Sequence, residues 1–316
     1  MYHIIVNPAS RSGKGYQLWK NEIEPALLSS NTKYRVYFSK EAGDIAAITA
    51  SLLEKAEKNS DFDEIVNLLL LGGDGTVNEC LQGIMPSAVS QRVRLGYIPT
   101  GSSNDLARDL HLPKSPQKVL QHILQSSGTH PADVGLVTFP DGSKRYFAVS
   151  CGIGYDAAIC EESSRSPIKS ALNKIKLGKL TYVGIALKQL LFTKSVSGKI
   201  IIDDKTVHFP KGILFASSMI HTFEGGGFKF CPQASFQDGL LDLCLIETMN
   251  KFKIIMALPL ALKGRHTIFH GVNLYRGKSI SIETDKPLWV HTDGEVTNKS
   301  SKIVVTCLHR AIHFIY

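Results

Sequence analysis

Residues 66–79 read VNLLLLGGDGTVNE, an apolar run that breaks into glycines, one aspartate and one threonine. The run has no polar alternation, as expected of a strand buried on both faces of a parallel sheet. The glycines can adopt positive φ and let backbone N–H groups approach an anion, and the helix-like segment that follows adds its N-terminal N–H groups. Many glycine turns after parallel strands bind nothing. The carboxylate of Asp74 and the hydroxyl of Thr76 in the same turn favour a phosphate-binding loop.

Two further segments have the same design of a short apolar strand followed by a polar, glycine-containing turn. Residues 96–108 read GYIPTGSSNDLAR, and residues 4–15 read IIVNPASRSGKG. The latter is not a Walker loop, because the motif spacing is absent and Lys14 is followed by Gly15. Ligands of open parallel sheets bind outside the carboxyl ends of the strands. We therefore expect these turns to line one nucleotide site.

The pattern of apolar residues divides the chain into two textures. Strands are predicted at residues 2–6, 34–38, 64–71 and 94–98, and helices at residues 15–29, 43–59, 76–84 and 116–125. This alternation is typical of an α/β doubly wound parallel sheet. From Asp133 onward, short alternating runs occur at residues 134–139, 146–152, 198–202, 213–217, 241–247, 279–284, 288–292 and 303–308. They predict an antiparallel β domain, a β-sandwich.

Composition limits the choice of partner and compartment. The 316 residues carry a formal net charge of +8, which indicates an anionic partner such as a nucleotide, a nucleic acid or an anionic membrane. No nucleic-acid-binding motif occurs, so we expect no nucleic acid partner. Apolar stretches such as residues 254–262 are too short to span a bilayer. Because Met1 leads directly into the first predicted strand, we expect no signal peptide. The six cysteines form no C-x-x-C pair and indicate a reduced, cytoplasmic protein.

One segment interrupts the β texture with basic residues. Between Ser163 and Ile202 there is no acidic residue, and apolar residues are interleaved as on a helix with a core face and a cationic face. Such a surface, Arg165–Lys199, could dock on an anionic membrane. A solvated helix that covers the sandwich is an equal alternative. The basic residues are Arg165, Lys169, Lys174, Lys176, Lys179, Lys188, Lys194 and Lys199.

Four motifs follow one another along the chain. They are Asn7-Pro8-x-Ser10 with Gly13-Lys14, Gly72-Gly73-Asp74-Gly75-Thr76-x-Asn78-Glu79, Pro99-x-Gly101-x-x-Asn104-Asp105-x-Ala107-Arg108, and Thr292-Asp293-Gly294-Glu295. Together they resemble the bacterial soluble lipid kinases of the diacylglycerol kinase catalytic family. The family fold implies an active site in the cleft between two domains. The nucleotide-binding domain would be residues 1–132, joined by residues 305–316, and the lipid-substrate domain residues 133–304.

The resemblance implies an ATP- and Mg²⁺-dependent kinase that phosphorylates a free hydroxyl of a membrane lipid. Diacylglycerol is the first candidate acceptor and phosphatidic acid its product. Phosphatidylglycerol, a sphingoid base or undecaprenol would fit equally, since generic apolar surface recognises acyl chains. An NAD kinase and a catalytically silent nucleotide or lipid sensor are further alternatives. The resemblance also predicts peripheral association with the inner face of the membrane. The protein would be either a monomer or a homodimer.

The resemblance assigns roles to individual residues. Asp293 would take the proton of the acceptor hydroxyl, Glu295 would assist on the ATP and metal side, and Asp74 would organise magnesium and the phosphates. Without the family, Asp293 and Gly294 would be interpreted as an ordinary hairpin turn with solvated carboxylates. The other predicted nucleotide-side residues are Asn7, Ser10, Lys14, Ser39, Gly72, Gly73, Gly75, Thr76, Asn78, Glu79, Ser102, Asn104, Asp105 and Asp133.

Within that set, Lys14, Asp105 and Asp133 match a charge network beneath the site. Ser39 and Ser102 stand where relatives usually carry threonine, so the hydroxyl is kept. A second, structural metal site of some relatives maps onto Gln237, the Leu240 carbonyl and Asp242. Gln237 replaces an acidic ligand there, and magnesium prefers charged oxygen ligands, so we expect this site to be weakened.

Overall fold

The computed structural model describes residues 1–58, 65–165, 178–208, 210 and 212–316, with the backbone alone for residues 12, 178–183, 206 and 207. Contacts divide the chain into two compact units. Unit 1 consists of Met1–Val134 and His309–Tyr316, and unit 2 consists of Gly135–Leu308. In the described part of the chain, no helix combines the length and the apolar character that crossing a membrane requires.

The strands account for most of unit 2 and for the centre of unit 1. They are β1 (Tyr2–Val6), β2 (Tyr34–Phe38), β3 (Val66–Gly72), β4 (Val93–Pro99), β5 (His130–Thr138), β6 (Lys144–Phe147), β7 (Ser150–Gly154), β8 (Gly198–Ile202), β9 (Thr206–His208), β10 (Ile213–Met219), β11 (Leu241–Glu247), β12 (Val272–Gly277), β13 (Ser279–Thr292) and β14 (Glu295–Ile315).

The helices connect the parallel strands of unit 1 and interrupt the strands of unit 2. They are α1 (Ser10–Leu18), α2 (Glu24–Ser29), α3 (Asp44–Lys58), α4 (Asp74–Ile84), α5 (Asp105–Asp109), α6 (Pro116–Gln125), α7 (Tyr155–Arg165), α8 (Gly178–Phe192) and α9 (Lys251–Ala261). A π-helical turn at Trp19–Ile23 joins α1 to α2, and 3₁₀ turns occur at Ser90–Arg92 and His266–Ile268.

Unit 1 is built on a parallel sheet with the strand order β2-β1-β3-β4 and the end of β14 beside β4. Residues 68–71 of β3 are completely buried, as the uninterrupted apolar run predicts. The core on one side of the sheet includes Trp19, Leu27, Val119 and Ile315. The parallel register brings the carboxyl ends of β3 and β4 level with each other, which sets the position of the two glycine turns.

Unit 2 is antiparallel, with β12-β11-β10-β7-β13-β14 as neighbours in that order. β8 pairs with β13, and β5 pairs with β6. The segment predicted as one strand at residues 146–152 is two strands, because β6 ends at Phe147 and β7 begins at Ser150. The backbone N–H groups of this interruption make hydrogen bonds that matter for the site.

Helices α7 and α9 were not predicted from the sequence. In α9, apolar residues occur on every face, so no helical period separates a core face from a polar one. Strand β12 was missed as well, whereas β11 has the predicted bounds. The sequence therefore predicted the strands of unit 2 better than its helices.

Candidate active site

The two glycine turns of unit 1 lie against each other. Gly72 at the end of β3 is opposite Pro99 at the end of β4, and the N–H of Thr100 donates to the Gly72 carbonyl at 2.7 Å. A Cβ added to Gly101 would lie 2.7 Å from the Cα of Gly73. A side chain at either glycine would push the turns apart, so the close approach requires glycine at this place.

Side-chain hydrogen bonds connect the first polar turn to both glycine turns. The Thr76 hydroxyl accepts from the Gly73 N–H and from the Asn7 amide, each at 3.3 Å. The Ser10 hydroxyl lies 2.7 Å from that of Thr100. The sequence prediction placed these three turns together, and the structure of unit 1 brings them together.

Asp74 connects the first glycine turn to helix α5. Its carboxylate accepts the N–H groups of Asp105 at 3.0 Å and Leu106 at 3.4 Å, which belong to the first turn of α5. The buried Tyr97 hydroxyl lies 3.4 Å away, and burial together with the Asp74 charge raises the pKa of Tyr97 well above its ordinary value. The amide oxygen of Asn104, which has φ 50°, lies 3.5 Å from the same Tyr97 hydroxyl. Mg²⁺ takes oxygen ligands and prefers charged ones, so the Asp74 carboxylate is the member of this set that fits the metal best.

The other predicted nucleotide-side residues differ in accessibility. Lys14, Ser102 and Gly75 are at least partly exposed, and Ser39 is nearly buried at the end of β2. Asn78 is completely buried inside unit 1. Glu79 accepts a hydrogen bond from the Gly43 N–H and thereby anchors the start of α3.

Asp105 and Asp133, assigned to a charge network, are both buried. Asp105 forms an ion pair with Arg108 one turn along α5. Asp133 accepts hydrogen bonds at 2.9 Å from the His309 ring and at 2.7 Å from the Arg310 N–H. Asp133 therefore connects β5 to the segment of β14 that belongs to unit 1.

Asp293 occupies the two-residue turn between β13 and β14 in unit 2. Asp293 has φ 52° and Gly294 has φ 85°, the combination that a type I′ hairpin turn requires. Its carboxylate is not simply solvated, because it accepts the N–H groups of Ala148, Val149 and Ser150 at 2.8, 2.7 and 2.9 Å. These donors come from the interruption between β6 and β7 and from the first residue of β7. Glu295, by contrast, is exposed.

An acidic cluster that the sequence did not reveal lies next to this turn, where the partly buried Asp156 and Glu224 surround the buried His291. The Nε2 atom of His291 is 3.2 Å from a carboxylate oxygen of Asp156 and 3.2 Å from one of Glu224. Hydroxyls of Ser150 and Ser217 donate to Glu224 at 2.9 and 3.0 Å. Ser150 belongs to both groups, since its N–H donates to Asp293.

Gly152 makes the cluster possible. A Cβ at this position would overlap the Asp156 carboxylate and the His291 ring. The Gly294 N–H lies 3.1 Å from Nδ1 of His291. Burial opposes a charge on this ring, but Cys160 and the carboxyl groups of Asp156 and Glu224 outweigh it and raise the pKa of His291 well above its ordinary value. The ligand atoms of the cluster lie within 4.8 Å of one another.

The environment shifts the two carboxyl groups of the cluster in opposite directions. Burial raises the pKa of Asp156, and the Glu224 charge acts in the same sense. Burial opposes ionisation of Glu224 too, but hydrogen bonds from His291, Ser150 and Ser217 outweigh it and lower the pKa of Glu224. Of the two carboxyl groups, Asp156 is therefore the one whose neutral form is favoured by the environment.

The residues at the predicted structural metal site do not fit a metal. Both oxygens of Asp242 accept hydrogen bonds at 3.0 Å from the Arg276 guanidinium, and this group lies 3.7 Å from Asp238. Gln237 is exposed, and Leu240 donates its N–H to Asp238. The cation beside Asp242 is therefore an arginine, and we derive no step through a metal at Gln237, Leu240 and Asp242.

The predicted basic docking segment is described only in part. Residues 166–177, with Lys169, Lys174 and Lys176, lie outside the described residues, and for Lys179 only the backbone is described. Arg165 pairs with Glu161 at 2.7 Å, and Lys188 pairs with Glu162 at 2.7 Å. At these two positions, acidic residues of α7 neutralise the basic face.

Comparison with known proteins agrees with this architecture. Residues 1–137 match the family model described as diacylglycerol kinase catalytic domain, and residues 149–315 match the YegS C-terminal NAD kinase beta sandwich-like domain. A diacylglycerol kinase of Staphylococcus saprophyticus is 28% identical over 299 residues, covering 94% of this chain and 89% of that protein. A diacylglycerol kinase of Staphylococcus aureus strain Newman is also 28% identical, covering 94% and 86%.

Solved structures extend the likeness to the fold. The crystal structure of a diacylglycerol kinase from Bacillus anthracis matches with a TM-score of 0.73 at 24% identity, covering 100% of this chain and 96% of that one. This match and the two family models confirm the predicted combination of a parallel α/β domain with a C-terminal β-sandwich. The chain therefore belongs to the bacterial diacylglycerol kinase-like family of lipid kinases.

Proposed function

We propose that this lipid kinase uses ATP and Mg²⁺ and that its acceptor is diacylglycerol, which it converts to phosphatidic acid. The observation that carries the nucleotide part is the close approach of Gly73 and Gly101 in unit 1. Two glycine turns in contact at the carboxyl ends of parallel strands present backbone N–H groups where a phosphate can bind. The choice of diacylglycerol rests on the names of the relatives.

In this proposal the oxygen of the acceptor hydroxyl forms a bond to the γ-phosphorus of ATP. The bond from that phosphorus to the β–γ bridging oxygen breaks, ADP leaves, and the hydroxyl proton passes to Asp293. Magnesium, when bound with the nucleotide, neutralises phosphate charge. Asp74, together with Asn104, would hold the metal, and the exposed Glu295 would assist it.

Asp293 combines this role with its hydrogen bonds in the fold. Three N–H donors stabilise its carboxylate, which favours the ionised form that can accept a proton but makes it a weak base. A weak base suits phosphoryl transfer, whose loose transition state depends mainly on positioning and charge.

Transfer of labelled γ-phosphate in mixed micelles tests this proposal. The acceptors are diacylglycerol, phosphatidylglycerol, sphingosine, undecaprenol and soluble NAD, each run with the wild type and with Asp293→Asn. We expect labelled phosphatidic acid that is absent with the variant. If another lipid or NAD is labelled instead, that molecule is the acceptor. If the Asp293→Asn variant still forms labelled product, Asp293 is not the base. If no acceptor is labelled but Mg-ATP still raises the melting temperature, the alternative of a catalytically silent nucleotide or lipid sensor is favoured.

A further inference from the structure

Helix α9 of unit 2 is apolar on two opposite faces. Ile254, Ala257 and Ala261 are buried in unit 2. The opposite side, which we name the α9 outer face, consists of the exposed residues Phe252, Ile255, Met256, Pro259 and Leu262. Their spacing of three, four and seven residues places them in one stripe. A helix apolar on all sides is normally buried in protein or in lipid, and α9 with 11 residues is too short to span a bilayer.

Exposed apolar side chains continue from this face onto its neighbours. Phe252 is 67% exposed, Phe192 at the end of α8 is 74% exposed, and Ile268 in the 3₁₀ turn that packs on α9 is 73% exposed. The Lys251 ammonium donates to the Leu191 carbonyl and so connects the end of α8 to the start of α9. A cavity of about 260 Å³ at this junction has Lys194 and Lys251 among its lining residues. Apolar surface of this kind marks an interaction site.

The charged residues that surround the α9 outer face in the sequence are all basic. Residues 248–282 contain no aspartate or glutamate and six lysines and arginines. At 3.6 residues per turn, Lys251 and Lys253 lie on either side of the apolar stripe, and Lys263 follows its end. An apolar stripe flanked by lysines complements an anionic lipid surface, since the ammonium groups reach the head groups while the apolar residues insert.

We propose that the α9 outer face, with Phe192 and Ile268 beside it, inserts into the head-group region of an anionic membrane. The inference rests on the proposed function in one respect, because a lipid acceptor lies in such a surface. A second copy of the chain fits less well. In a two-fold contact through this face, the lysines of both copies would face each other without acidic partners from residues 248–282.

Vesicle sedimentation tests the proposal without any need for turnover. The vesicles contain either phosphatidylcholine alone or phosphatidylcholine with an equal amount of phosphatidylglycerol. A triple variant, Phe252→Ser, Ile255→Ser and Met256→Ser, should bind mixed vesicles at least about tenfold more weakly than the wild type. Lys251→Gln with Lys253→Gln should weaken binding to the mixed vesicles only. The control is Leu28→Ser in unit 1, because Leu28 is also 67% exposed.

Three further readouts keep the outcomes distinct. Phe252→Trp should shift its fluorescence to the blue with mixed vesicles, and no shift in a protein that sediments with them would overturn the proposal. Wild-type binding by the triple variant would also overturn it, as would a wild-type dimer that this variant converts to a monomer. Phosphorylation of a water-soluble short-chain diacylglycerol should survive the triple substitution. If the wild type phosphorylates no acceptor but binds vesicles through α9, the proposed function fails and the docking face remains.

Discussion

Asp74 in unit 1 and Asp293 in unit 2 are both carboxylates held by backbone N–H groups, but their donors lie at different distances along the chain. Asp74 accepts from Asp105, 31 residues away, within two recognisable motifs. Asp293 accepts from Ser150, 143 residues away, at the start of β7, in a segment that no motif marks. Both predicted catalytic carboxylates also hold the backbone together, so substituting either one changes stability as well as chemistry.

The largest effect is expected for Asp293→Asn. The amide NH₂ would face a backbone N–H that the carboxylate now accepts, so we expect kcat to fall about 10²–10⁴-fold and the free energy of unfolding to fall by about 1–3 kcal/mol. Micelle kinetics and urea unfolding measure the two effects. The exposed Glu295→Gln is the control and should leave stability unchanged. Unchanged stability of Asp293→Asn would show that the three N–H groups contribute little.

Glu224→Ala tests how much the acidic cluster contributes to stability, independently of the Asp293 turn beside it. The change removes the acceptor of Ser150, Ser217 and His291, so we expect a loss of about 3–5 kcal/mol in the free energy of unfolding. Urea unfolding at neutral pH measures it. Ser217→Ala, which removes one donor and leaves the charge, is the milder control. A loss below that of Ser217→Ala would mean that Glu224 is not the centre of the cluster.

Asp156 gives the same cluster a pH dependence. Its pKa is raised in the folded state above the ordinary 3.8, so its contribution to stability is present below that value and is lost as pH rises through the folded pKa. The unfolding free energy of Asp156→Asn relative to the wild type should therefore rise with pH, by at most about 1.4 kcal/mol per pH unit. Unfolding series of both proteins above pH 4 measure this difference. A flat difference would contradict the raised pKa.

Gly101→Ala tests the unit 1 side of the comparison. The added methyl group would lie 2.7 Å from the Cα of Gly73 and from an Asn104 oxygen, and we expect overpacking to cost about 1–3 kcal/mol. Thermal unfolding with and without Mg-ATP should show lower stability and weaker protection by nucleotide. Gly128→Ala, where a Cβ meets nothing within 4 Å, is the matched control. If Mg-ATP protects the variant as well as it protects the wild type, the phosphate binds away from the contact between Gly73 and Gly101.

The smallest effect concerns Asp242. Because Arg276 already binds both of its oxygens, Mg²⁺ added without nucleotide should leave the melting temperature unchanged, and EDTA should do the same. Differential scanning fluorimetry measures both. In Arg276→Met, the carboxylate loses its cation and Mg²⁺ should begin to stabilise the protein. Stabilisation of the wild type by Mg²⁺ alone would restore a structural metal to this site.

The sequence was most informative where the interacting groups are themselves the motif. The turns at Gly72, Gly73 and Gly101 depend on missing side chains and on nearby hydroxyls, and such features are visible in a sequence. Strand β3 was predicted because its burial on both faces leaves an uninterrupted apolar run. In each case, local chemistry and the fold demand the same residue types.

The sequence was least informative where partners meet only through tertiary structure. Asp156 lies on α7, His291 on β13 and Glu224 in the segment between β10 and β11, and none belongs to a motif. The available signals were indirect, namely Gly152 in a buried strand and His291 two residues before Asp293. The ion pair of Arg276 with Asp242 spans 34 residues and was invisible for the same reason. Helix α9 was missed because periodicity detects a contrast between faces, and its two faces are alike.

The end of β14 has a consequence for biosynthesis. Residues 309–316 complete unit 1, where Ile315 is buried in the core and His309 and Arg310 supply hydrogen bonds to the buried Asp133. The ribosome must synthesise all of unit 2 before these residues exist. Until then, the edge of β4 in a nascent unit 1 is uncovered, and Asp133 lacks the hydrogen bonds from His309 and Arg310. Chaperones and proteases act on such incompletely folded states. Translation speed through residues 135–308 sets how long that exposure lasts.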